Sequence, residues 1–194
     1  MALSDVALAT RALLRIGAAP INSFEDNTAE AEIAGALFAP TRDGLLSSYP
    51  WSFATAQKPL APLAEQPAAD FQFAYQLPGD FLRAVSVGQG RRGRGVEFRI
   101  GGDKLLSNAS QITLSYIYRP PEGGMPPFFE QVLIAALSAE FCLPLTESST
   151  RAKLLFDQAE DLFDKAKTTD AQQDTPNRLE DFSLINARGG GRVS

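Results

Sequence analysis

The chain has 194 residues, is 44% hydrophobic and 21% charged, and carries 13 Phe and 13 Pro, a composition that belongs to turn-rich globular proteins and excludes a disordered chain. Histidine is absent and Cys142 is single, which removes Ser-His and Cys-His nucleophiles, the commonest metal ligand and any intramolecular disulfide. A net charge of −5 opposes phosphate neutralisation by the molecule as a whole, so duplex binding would require a local basic patch.

The first helix is expected from Ser4, an N-cap residue ahead of Leu3, Val6, Leu13 and Leu14 in helical spacing, to a stop near Ile16 imposed by Gly17 and Pro20. Thr28 caps a second helix whose apolar stripe is read as Ile33, Leu37, Leu45 and Tyr49, with a kink at Pro40. Trp51 to Ala56 reads as extended. Four alternating runs follow: Phe71, Phe73, Tyr75, Leu77; then Arg83, Val85, Val87; then Val96, Phe98, Ile100; then Ile112, Leu114, Tyr116, Tyr118 opposite Thr113 and Ser115. With turns at 88–95 and at Gly101-Gly102, these predict one antiparallel sheet of about four strands.

Helix returns in PPFFEQVLIAALSAEFCLPL, apolar nearly all round between Val132 and Leu137 and therefore expected inside a bundle, with Cys142 a buried thiol. Ala152, Leu155, Phe156, Ala159, Leu162, Phe163 and Ala166 define the last helix, with an i,i+4 pair from Asp161 to Lys165. From Thr168 the apolar period stops. Residues 169–194 are read as an extended arm in which Leu179, Phe182, Leu184, Ile185 and Arg188 can dock on their own or a neighbouring subunit. The expected fold class is α+β: a four-helix bundle from 1–50 and 126–168, two helices from each end, with an inserted β-rich part at 51–125 and the C-terminal arm. No membrane-crossing run or signal peptide is expected, since Asp5 rather than a basic residue precedes the first apolar stretch.

Candidate contact residues are Arg91, Arg92 and Arg94, which with Arg99 crowd a glycine-rich loop and can meet an acidic partner or simply be a solvated hairpin tip. Neither GQGRRGRG nor GGDK provides the Gly-Lys-Ser/Thr of a phosphate-binding loop, so no cofactor or metal is assigned. Glu97, Asp103, Glu130, Glu140 and Glu147 are the carboxylates weighed for glycoside cleavage; none stands out as acid or nucleophile, and Glu130 and Glu140 are read as helix-surface residues. Trp51, Phe53, Phe71 and Tyr75 are read as core.

Three pieces in order carry a resemblance: Arg15-Ile16-Gly17 with Pro20-Ile21, the step Trp51-Ser52-Phe53, and Leu77-Pro78-Gly79-Asp80-Phe81-Leu82-Arg83. Across nearly its whole length the chain resembles the tail tubular protein A family, the head-to-tail adaptors of short-tailed bacteriophages. The resemblance implies a non-enzymatic virion subunit, assembled in the bacterial host cytoplasm into a dodecameric ring. That ring would bind the portal on one side and the nozzle protein of the tail on the other, and pass DNA without specific binding. Two other classes stay open: a virion-associated carboxylate glycan hydrolase, and a DNA-packaging factor that binds DNA ends through the arginine patch.

Overall fold

A computed structural model describes residues 3–90 and 93–173. It is a mixed α+β structure with four helices and two small antiparallel sheets. The arm residues Leu179, Phe182, Leu184, Ile185 and Arg188, and Arg91 and Arg92 of the basic loop, lie outside the described residues.

Both N-terminal helices begin where their caps are. Ser4 accepts a hydrogen bond from the Ala7 amide to open α1 (Asp5–Ile16), and Gly17 closes it at φ 80°, a left-handed conformation that glycine adopts without strain. Thr28 accepts from the Ala31 amide to open α2 (Ala29–Ser48), which continues through Pro40. The buried stripe of α2 is Ala31, Ala34, Phe38 and Leu46; the expected Ile33, Leu37, Leu45 and Tyr49 flank it, only partly covered. Small Ala31 and Ala34 let the helix approach closely, so the deepest positions are not the bulkiest ones.

The expected extended stretch after α2 is instead a 3-10 turn at Ser52–Ala54, followed by strand β1 (Thr55–Leu60). The turn forms because the Ser52 amide and hydroxyl both donate to the Asp170 carboxylate, at 2.9 and 2.6 Å. Five further strands follow: β2 (Phe73–Gln76), β3 (Phe81–Gly88), β4 (Phe98–Gly101), β5 (Lys104–Ser107) and β6 (Ile112–Tyr118). They form two three-stranded sheets, ordered β1-β6-β3 and β2-β5-β4, rather than one sheet of four. The strand unforeseen in the sequence is β5, whose Lys-Leu-Leu-Ser has little alternation to betray it; Gly102, at φ 61°, makes the tight reversal from β4.

The two sheets bury a shared cluster of Tyr75, Leu77, Val87, Leu105, Ile112, Leu114 and Tyr116. In β6, side chains alternate, so Leu114 and Tyr116 enter this cluster while Ile117 joins the core of the helical part. Strand β6 thus has a neighbour on both faces. In β3 the expected common face of Arg83, Val85 and Val87 does not exist. Register shifts against β6, one between Phe81 and Arg83 and another between Ala84 and Ser86, leave Val85 42% exposed and Val87 1%.

Helix α3 (Pro127–Thr146) packs against α1, α2 and α4 (Ser149–Ala171). It is long and apolar enough, by length and composition, to cross a membrane, contrary to the expectation that no segment qualifies; here Leu133, Leu137 and Phe141 are fully covered by protein. Glu130, expected on the surface, is buried and accepts from the Leu3 amide at 3.3 Å. Helix α4 runs past 168 to Ala171, beyond the expected start of the arm, because Asp170 is held by Ser52. Its ion pair is Lys167 with Asp164, at 2.6 Å, in place of the expected Asp161 and Lys165.

Candidate assembly surface

Trp51 is the fixed point from which the surface is built. Its indole N–H donates to the Leu45 carbonyl at 3.0 Å, anchoring the end of α2, and its ring meets Tyr49, Phe53, Phe128, Phe129 and Phe163 at centroid distances of 4.9 to 6.3 Å. One side chain therefore holds α2, α3 and α4 in register. With Asp170 pinned to the next residue, the C-terminal part of α4 is fastened against the end of α2.

Above this hub α2, α3 and α4 leave an open groove of about 570 Å³. Pro40, Leu45, Ala136, Ala159 and Phe163 supply its apolar wall, and Phe156, expected in the core, stands on its lip 45% exposed. A Cβ built on Gly44, another lining residue, meets no atom within 4 Å, so the groove is open at that point. Glu140, Asp157 and Glu160 also line it, while among the described residues no Lys or Arg does. An apolar trough bordered by carboxylates can take an apolar segment that carries positive charge at its ends. Nothing in the sequence pattern announced this groove, because its residues come from three helices far apart in the chain.

A second set of charges joins the first two helices to the connector after β6. Arg42 reaches Asp5 at 3.2 Å and Asp43 at 3.0 Å, and Arg119 clasps Asp43 with its Nε at 3.1 and 3.2 Å from the two carboxylate oxygens. The Asp5 amide donates to Glu122 at 2.9 Å. Burial acts to raise Asp43, but the hydrogen bonds from Arg119 and Arg42 outweigh it and hold the carboxyl below its ordinary value. Burial dominates at Asp5, whose pKa is raised despite Arg42, and its Oδ1 is buried without a partner among the described residues. This network is a clasp between elements.

Of the basic loop, Arg94 is described and is exposed; the loop is closed by the Ser86 hydroxyl donating to the Gly93 carbonyl at 2.7 Å. Arg99 has partners of its own, its guanidinium pairing with Asp70 at 3.0 Å and lying over the Phe71 ring. The weighed carboxylates are not convergent. Glu97 and Asp103 belong to the β4–β5 hairpin, Glu147 ends α3 at φ 54°, and Glu130 and Glu140 sit about 15 Å apart along α3 at roughly 1.5 Å per residue. Among the described residues, no group of three His, Cys, Asp or Glu side chains could hold a metal ion. Trp51 and Tyr75 are fully buried, as expected, and so is Cys142, whose sulfur lies 3.3 Å from the Thr146 hydroxyl.

No family model matches this chain, and a search of curated proteins finds no match.

Proposed function

We propose that this chain is a structural subunit of a phage or phage-derived particle, a head-to-tail adaptor that forms a ring between portal and tail and works by assembly rather than by chemistry. The proposed subunit is a four-helix bundle gathered on α3, carrying a β-rich insertion, and its partners are other copies of itself, the portal ring and the nozzle protein. The observation that carries the reading is the apolar groove with exposed Phe156 on its lip, left open by the described residues: such a surface marks a place where another segment docks, and a ring subunit must offer unlike complementary faces. Of the residues behind the resemblance, Ile16, Ile21 and Trp51 meet in one core and Leu77 and Phe81 contribute to the other.

The test is light scattering of the purified protein alone and mixed with its cognate portal ring, with imaging of the mixture. A stoichiometric ring seated on the portal is the expected result. Absence of association at every salt concentration would overturn the adaptor reading. Removing residues 172–194 leaves α4 intact to Ala171, so the shortened chain is expected to fold but no longer join the portal.

A further inference from the structure

Residues 174–194 begin three positions after the end of α4 and include the most apolar stretch beyond it, Leu179, Phe182, Leu184 and Ile185, bracketed by Arg178 and Arg188. We propose that in the free subunit this segment is seated in the groove of the same chain, between α2, α3 and α4. The proposal rests on the reading of residues 174–194 as an assembly arm and says where that arm is kept before a partner ring takes it.

Chemistry and reach both favour this occupant. The groove presents apolar wall residues together with Glu140, Asp157 and Glu160, and the segment presents apolar side chains with an arginine before and after them. Glu180 and Asp181, in the middle of the stretch, must then be directed to solvent. Helix α4 leads from the groove to its own end: from Phe163 to Gln173 is about 15 Å at roughly 1.5 Å per residue. The six residues from Gln173 to Leu179 span up to about 20 Å when extended, enough to turn and come back level with Phe163. The next six, to Ile185, cover the roughly 10 Å that separate Phe163 from Phe156 along α4. A tether this short holds the segment at an effective concentration on the order of millimolar, which favours its own groove over that of a second copy in dilute solution.

The experiment uses the full chain with Gly44→Cys and Asn186→Cys, oxidised mildly at low concentration. Gly44 has open space at its Cβ, and the native Cys142 is buried, so neither complicates the result. An intramolecular disulfide between positions 44 and 186 in a protein of monomer mass is expected. Adding Leu184→Glu should cut its yield by about tenfold or more, because a carboxylate would have to enter an apolar site. Disulfide-linked dimers as the main product would overturn the proposal in favour of exchange between copies. A yield no higher than that of a control pair, Arg99→Cys with Asn186→Cys, would overturn it outright, and so would a yield indifferent to Leu184→Glu. Portal joining is scored separately on the reduced double-cysteine chain, whose arm is free to leave the groove: a disulfide that forms on oxidation with no ring from the reduced chain sinks the adaptor reading and leaves the docking in place, whereas ring formation without the disulfide does the reverse.

Discussion

Asp170 is a buried carboxylate at the end of a helix with no cation beside it among the described residues, and its two hydrogen bonds from Ser52 are what make its burial tolerable. Asp170→Ala should cost about 1–3 kcal/mol in urea unfolding, since it leaves the Ser52 amide without its acceptor, and Ser52→Ala should cost less because the amide bond survives. A smaller loss from Asp170→Ala than from Ser52→Ala would contradict this account of the turn. Asp43 makes a pH prediction. Its folded pKa lies below the ordinary 3.8, so between those two values the unfolded chain binds more protons and stability falls as the pH drops through that window. Asp5, raised by burial, has the opposite sign and acts above 3.8, where the folded chain is first to take the proton. Urea midpoints measured from acid to neutral pH should therefore fall less steeply below pH 3.8 for Asp43→Asn than for the parent chain. Equal slopes would show that the Arg42–Asp43–Arg119 clasp contributes nothing in acid.

Among the elements, β3 shows how irregular pairing overrides pattern. Arg83, Val85 and Val87 alternate perfectly, yet the register shifts against β6 turn Val85 outward and keep Val87 in the sheet core. Val87→Lys should destabilise by about 3 kcal/mol or more, while Val85→Lys should stay within roughly 0.5 kcal/mol. Thermal melts of the two variants decide the matter, and a reversed order would mean that the strand is not bulged. The helices behave differently. Ser4, Gly17 and Thr28 act on their own neighbours through hydrogen bonds of a few residues' reach, so both helix starts and the first helix stop are legible without the fold. Strand β5 was not legible: four residues carry too little pattern, and its existence depends on pairing with both β2 and β4.

At the scale of the whole molecule, charge and surface are the governing quantities. A net charge of −5, with Arg99 already paired to Asp70, predicts that the proposed ring, once assembled, retards no duplex DNA at physiological salt; a clear gel shift there would contradict the proposal of a conduit that lets DNA pass freely. Composition, helix caps and the all-round apolar face of α3 were enough to establish an α+β protein with helices at both ends and a buried Cys142, because each of those features acts locally or through total hydrophobicity. The sequence pattern did not reveal the division of the strands into two sheets, the hub at Trp51, the pairing of Ser52 with Asp170 or the groove lined by α2, α3 and α4. Each of these depends on residues brought together across long stretches of chain, as Ser52 and Asp170 are, and no periodicity along the sequence records which distant surfaces come into contact.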